Sequence, residues 1–235
     1  IGSNPNNYIT FNDEMWRIIG VFTVENEKGE KEQRVKIIRD EAVYNNFWRA
    51  AVSGYDASSV NEILNGDYYN RINDYTSIGL TDNAKSKIAS AKWYLGGVTN
   101  DDVSALDYYK AERGTNIYGG QADISWLGKV GLIYPSDYAY TFAFEVDDIC
   151  YNNIVQCSNT SSWLFTGEEQ HMITNAAESI ITTRALAPVD TFRITTEGGI
   201  EYSLGAADVR PVVYLKSDIK YIGGTGSSSD PFILS

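Results

Sequence analysis

Two cysteines and a single histidine bound the chemistry this chain can perform. Cys150 and Cys157 lie in a polar segment rich in Asn, Asp and Ser rather than in an apolar core. A short-loop disulfide made in an oxidising compartment is the expected state, with two exposed free thiols as the alternative. A zinc site would need His171 together with both cysteines or with carboxylates, and none of the short metal-ligand spacings occurs, so no metal is expected. A Cys-His nucleophile pair is formally available, but the thiols of an exported protein bridge each other more readily than they stay reduced. Asp101-Asp102, Glu145 with Asp147-Asp148, and Glu168-Glu169 could serve as an acid/base pair or hold calcium. The first reads better as a helix cap and the others as solvated loop charge. Gly223-Gly224-Thr225-Gly226 is a turn rather than a phosphate loop, because no Lys-Ser/Thr follows it. Trp163 and Phe165 could stack on sugar rings or on a partner's side chains, or could anchor their loop in the core. Neither catalytic residues nor a cofactor are expected.

Composition narrows the partners. A net charge of −12 over 235 residues repels a phosphate backbone, and no basic stripe offsets it, so nucleic acid is excluded as a partner class. Seventeen tyrosines against two methionines is a composition that gives large contact area with one wet end. The same residues suit half-buried strand positions, which is the reading for most of them. No composition shift divides the chain, and one domain over residues 1–235 is expected. No apolar run reaches the length of a membrane span; Ile1 is not an initiator methionine, and a trimmed signal or anchor is expected.

The elements that would position these residues follow an α+β order. Tyr8 to Phe11 and Glu14 to Val24 read as a hairpin turned by Asn12-Asp13, and Gln33 to Arg39 returns after a turn at Gly29, giving a three-stranded meander. Helical cover follows. Ser58-Ser59 caps a first helix, with Glu62 in capping-box position to Ser59; Thr81-Asp82 to Ser90 is a second; Asp101-Asp102 caps a third over Val103 to Arg113, ended by Gly114. Strands are then read at Ala91 to Leu95, Trp126 to Tyr134, Ser179 to Arg184, Asp190 to Thr196 and Glu201 to Leu204, the last two joined by Glu197-Gly198-Gly199. The stretch Ala139 to Ala177 has little period and reads as a long loop, either functional or tied down. Val209 to Lys216 is nearly all apolar and is expected to be a strand buried on both faces, paired after Pro211 or bulged at Arg210-Pro211. Arg210 at its mouth should tie a neighbouring loop to the sheet through a carboxylate or carbonyls. Pro231 to Leu234 could pair with an early strand.

Several blocks carry a resemblance: Asn4-Pro5-Asn6-Asn7-Tyr8 with Phe11-Asn12, Trp16 to Val21, Trp93-Tyr94-Leu95-Gly96-Gly97, Glu112-Arg113, Gly131 to Tyr138, the paired cysteines, Ser162-Trp163-Leu164, Val209 to Lys216, and Gly224-Thr225-Gly226 with Asp230-Pro231. In that order they resemble an uncharacterised domain family of exported proteins from gut-dwelling Gram-positive bacteria, over almost the whole chain. The resemblance implies a pilin-type surface protein in which an N-terminal apolar helix precedes this domain. The closing Trp-Leu, Gly-bearing hairpin and Arg-Pro strand are similar to C-type-lectin-like folds, which include formylglycine-generating enzymes and variable bacterial receptors. Ile180-Ile181-Thr182-Thr183-Arg184 departs from the family's usual Trp or Leu-Thr-Pro block.

The combined expectation is an extracellular α+β domain of C-type-lectin-like fold, acting as a non-catalytic cell-surface or pilus-like adhesion module. Its partner would be a host or bacterial surface protein or a glycan, with self-assembly through a missing N-terminal helix as a further route. Contacts are expected from the 139–177 loops and the 190–204 hairpin, with Trp163, His171, Arg184 and Tyr202 as candidate binding residues. The rival readings are a formylglycine-type oxidase using Cys150 and Cys157 with a metal, a carboxylate hydrolase, or a purely structural fibre subunit.

Overall fold

The computed structural model describes residues 2, 4–47, 55, 58–95, 104–114, 125–142, 152–153, 160–175, 191–203 and 205–235. It is an α+β structure, rich in strands with a few short helices. β1 (Tyr8–Phe11) and β2 (Glu14–Glu25) form the expected hairpin, and the turn residues Asn12 and Asp13 both take positive φ, 58° and 60°. That conformation suits a two-residue hairpin turn and short polar side chains tolerate it. β3 (Lys31–Arg39) returns antiparallel to β2, with a register shift between Ile18 and Gly20. β4 (Tyr44–Phe47), which the sequence reading passes over, goes to a second sheet.

The helices are short. α1 (Ser59–Glu62) is capped by Ser58, whose Oγ accepts the Asn61 N–H at 3.0 Å. Of the two serines expected to cap this helix, the first is the N-cap, and Ser59 is the first helical residue. A π-helical segment, Ile63–Tyr68, continues α1 through Gly66 and buries Leu64 and Tyr68. α2 (Asp82–Lys87) is capped by Thr81 and buries Ala84, stopping short of Ser90. β5 (Ala91–Tyr94) follows. α3 (Ala105–Ala111) is capped by Ser104, which accepts the Asp107 N–H at 3.2 Å; the expected Asp101-Asp102 cap lies outside the described residues.

The single strand expected over Trp126 to Tyr134 is instead two. β6 (Ser125–Gly128) pairs with β5, while β7 (Val130–Gly131) pairs with a strand of the first sheet. α4 (Pro135–Ala139) comes next, with Pro135 at the first helical position, where its missing N–H costs nothing. β8 (Gln170–Asn175) lies within the stretch expected to be irregular. Gln170, His171, Met172, Ile173 and Thr174 are all buried, so no in-out alternation betrays this strand. β9 (Thr191–Ile194) and β10 (Ile200–Ser203) form the expected hairpin, with Gly198 at φ 77° in its turn.

The stretch expected as one central strand is divided at Arg210-Pro211. β11 (Ala206–Val209) lies between β8 and β4 in one sheet, and β12 (Val212–Tyr214) lies between β3 and β7 in the other. Pro211 has no N–H to give to a ladder, so pairing resumes at Val212 and the chain changes sheets at the corner. The two five-stranded sheets have the orders β1-β2-β3-β12-β7 and β10-β9-β8-β11-β4. Their buried apolar side chains, with those of the helices, form one cluster that includes Trp16, Trp93, Met172, Val209, Val212 and Tyr214.

Arg210 fills the corner, almost fully buried. Its Nε donates to the Arg39 carbonyl at 3.0 Å, and Nη1 donates to the Leu164 carbonyl at 3.0 Å and to Gln170 Oε1 at 3.1 Å. It joins β3 in the first sheet to β8 in the second and to the loop before it, as its place in the sequence predicts. β13 (Tyr221–Gly223) and β14 (Ile233–Leu234) close the chain as a two-stranded ribbon, and Phe232 pairs parallel to Ile9. Among the described residues no helix is long and apolar enough to cross a membrane.

Candidate functional site

The most unusual chemistry lies where β3, α3 and α4 meet. Lys36 is on β3, opposite Tyr214 of β12 and Gly20 of β2, inside a run, Val35-Lys36-Ile37-Ile38, that is otherwise apolar. Its side chain is fully buried and its Nζ donates to Asp137 Oδ2, whose side chain is also fully buried. Four aromatic rings enclose the ammonium: Tyr134 at 4.3 Å from its centroid, Trp93 at 5.4 Å, Tyr214 at 5.5 Å and Phe22 at 5.6 Å. Ring faces attract a cation, but they do not replace its hydration.

Asp137 belongs to the first turn of α4, and its Oδ2 also accepts the Tyr134 N–H at 2.8 Å. The second carboxylate is Glu112, at the end of α3 and 1% exposed. Its Oε1 accepts the Ser136 N–H at 3.2 Å, and Ser136 Oγ donates to its Oε2. Arg113 spans the two acids, with Nη1 3.7 Å from Glu112 Oε2 and Nη2 3.8 Å from Asp137 Oδ1. Its guanidinium also faces the rings of Tyr109 at 4.4 Å and Phe22 at 4.7 Å.

Two cations and two carboxylates thus share one water-poor volume. Burial pulls the Lys36 ammonium down to about 8, against the opposing pull of Asp137. Burial pushes the Glu112 carboxyl up to about 7, with Arg113 resisting. Burial also works against the Arg113 charge, but Tyr214, Asp137 and Glu112 outweigh it and raise its pKa, so it stays a cation. Glu112 is the group poised to exchange a proton near neutrality.

Above this cluster opens a pocket of about 170 Å³. Tyr94, Tyr109, Tyr134 and Tyr214 wall it, Glu112 and Arg113 reach it from the cluster, and Glu25, Lys31 and Lys92 contribute charge. Lys92 Nζ donates to Glu25 Oε1 at 3.1 Å. Small-molecule sites commonly run to about 300–1,000 Å³, so this volume takes one ring or one side chain rather than a whole ligand. Among the described residues no three His, Cys, Asp or Glu side chains converge to hold a metal.

None of the four candidate binding residues lines this pocket, although Tyr94, Glu112, Arg113, Tyr134 and Tyr214 fall within the blocks that carry the resemblance. Trp163 is 8% exposed and lies under the Arg17 guanidinium, 4.7 Å from its ring. His171 is fully buried on β8, paired in register with Arg193 of β9. Both side chains are therefore buried, His171 completely and Trp163 but for a small edge. Tyr202 is paired with Phe192 in the β9–β10 hairpin. Arg184, Cys150, Cys157 and the expected strand over Ser179 to Arg184 lie outside the described residues.

The charge cluster escapes sequence reasoning because its members come from three separate stretches, and Lys36 is 101 positions from Asp137. One local signal exists: a lysine inside an apolar run of a strand whose neighbours cover both faces. The chain matches no family model, no curated protein and no solved structure.

Proposed function

We propose that this chain is an extracellular, non-catalytic binding module with a C-type-lectin-like arrangement, displayed on a cell surface or along a pilus-like fibre. Its pocket seats one ring of a glycan, or one side chain of a surface protein. The tyrosine-walled pocket carries this reading. Four tyrosines give apolar contact with polar edges, and the Lys92–Glu25 pair beside them can hydrogen-bond a sugar hydroxyl. The deep carboxylates are engaged inside the protein, Glu112 with Ser136 and Asp137 with Lys36 and the Tyr134 N–H, and of the two only Glu112 also lines the pocket.

The contact surface moves accordingly, away from Trp163 and towards the mouth of this pocket. Glycan arrays and cell-binding assays of the wild-type domain, Tyr109→Ala and Lys92→Ala test it, with folding checked by circular dichroism. Wild-type binding that falls about tenfold or more in a folded variant is expected, since truncating an aromatic anchor commonly costs that much. Binding that is absent in the wild type, or unchanged in both folded variants, refutes the reading.

A further inference from the structure

We propose that Lys36 and Asp137 condense in the folded protein to a side-chain amide, a permanent cross-link between β3 and α4, with Glu112 as the proton-transfer group. The inference is independent of what the pocket binds.

Four observations converge on it. The amine and the carboxyl group are in contact, and neither side chain has any exposure. Water is thus kept from a bond whose hydrolysis requires it, and the water released by condensation leaves for bulk. The ion pair is expensive where it stands, since four ring faces, one backbone N–H and the Arg113 guanidinium, 3.8 Å from Oδ1 and not hydrogen-bonded to it, substitute poorly for two hydration shells. Condensation removes both charges together. The two oxygens of Asp137 are also differently placed: Oδ2 accepts the Tyr134 N–H, while Oδ1 is buried and accepts no hydrogen bond. Finally, a second buried carboxyl group, Glu112, shares Arg113 with Asp137, Nη1 lying 3.7 Å from Glu112 Oε2 and Nη2 3.8 Å from Asp137 Oδ1, and burial raises its pKa to about 7.

The step balances without any co-reactant. A proton passes from the Lys36 ammonium to the Asp137 carboxylate and comes to rest on Oδ1, leaving an amine and a carboxylic acid whose Oδ1 carries the first of the two protons of the departing water, a transfer that low dielectric favours. The lone pair on Nζ attacks Cγ, and the Nζ–Cγ bond forms. Negative charge develops on Oδ2, where the Tyr134 N–H already points. Glu112 takes a proton from the nitrogen and returns one to Oδ1, the Cγ–Oδ1 bond breaks, and water leaves. Lysine plus carboxylic acid becomes amide plus water, nothing is oxidised, and Glu112 ends as it began. The reaction runs once per chain, so the domain remains non-catalytic towards other molecules.

The test is the intact mass of the purified, folded full chain after thiol reduction, followed by tandem mass spectrometry of a digest. The expected wild-type mass is lower than that of the sequence by one water, with a branched peptide joining the Lys36 and Asp137 segments. Lys36→Met and Asp137→Ala should each keep the full mass. Glu112→Gln, which keeps the shape and can still accept the Ser136 N–H, should fold and remain mostly at full mass, so the test survives if the first two variants do not fold. A folded wild type at full sequence mass overturns the proposal, and so does a water loss that maps to any other pair of residues. Complete cross-linking in folded Glu112→Gln would remove Glu112 from the mechanism.

Discussion

Replacing Glu112 with Gln should erase a defined part of the pH dependence of stability. The folded-state carboxyl titrates at about 7, against an ordinary value of 4.5, because burial penalises its charge. At pH values below 4.5 it is protonated in both folded and unfolded chains and contributes no pH dependence. Between 4.5 and about 7 the folded state keeps the proton and the unfolded chain does not, so the folded state binds more protons and stability falls as pH rises. Above about 7 the whole penalty is present. The separation corresponds to about 3 kcal/mol at roughly 1.4 kcal/mol per pH unit. Gln has no charge to bury and can still accept the Ser136 N–H, so its curve lacks this fall. Urea denaturation followed by tryptophan fluorescence, at intervals from about pH 4 to 8, supplies the comparison. The stability of Glu112→Gln relative to wild type should climb by about 3 kcal/mol across that window. Carboxylates remote from the cluster cancel in the difference. Parallel curves would refute the argument that Glu112 is a buried, water-deprived acid.

Arg210→Met should cost about 3–5 kcal/mol in urea denaturation, because it leaves two buried carbonyls and the Gln170 side-chain oxygen without their donor; a loss under about 1 kcal/mol would mean that the corner between the sheets does not depend on it. Gly131→Ala places a Cβ 2.8 Å from the Trp93 ring, which Tyr214 holds at a centroid distance of 4.7 Å, so thermal unfolding should show a loss of about 1–3 kcal/mol. Gly66→Ala is the opposite case: a Cβ there meets nothing within 4 Å in a helical backbone, and a gain of about 0.5–1 kcal/mol is expected by the same measurement.

Local sequence was most informative where local physics decides the conformation. Asn12-Asp13 specifies its hairpin because few other residues sit at φ near 60° twice in succession. The apolar run ending in Tyr214 announces its burial, and Pro211 announces that pairing cannot begin before Val212. The same run conceals that its two halves serve different sheets, since an arginine at a strand mouth looks alike whether the chain bends or continues. β8 is hidden because Gln170, His171 and Thr174 are polar yet buried, and a period of two needs one solvated face to become visible. Trp163 and His171 were legible as residues worth placing, but the side of the loop they occupy depends on Arg17 and on β9, which are remote in sequence. The four charges of the cluster are the extreme case. Apart from Lys36, which sits in an apolar run, each looks like an ordinary surface residue, and only tertiary packing removes the water from all of them at once.

That removal makes the cluster hard to explain as a device for stability. A neutral quartet in a low-dielectric volume gains Coulomb energy at short range but loses several kcal/mol of hydration per ion, and apolar residues of similar size commonly do as well or better. The imperfect hydrogen bonding sharpens the point, since Arg113 Nε and Nη2 and Asp137 Oδ1 are buried without hydrogen-bond partners. Placing that cost beneath a solvent-reaching pocket makes sense if the charges are consumed or used. Condensation of Lys36 with Asp137 would cancel one pair outright and leave Arg113 facing Glu112, whose proton it then competes for beside the four tyrosines. The floor of the pocket would thereby change from a balanced quartet to a single cation with a titratable acid. A ligand group carrying negative charge should then bind better to the cross-linked protein than to Lys36→Met, in which Asp137 stays charged and occupies Arg113.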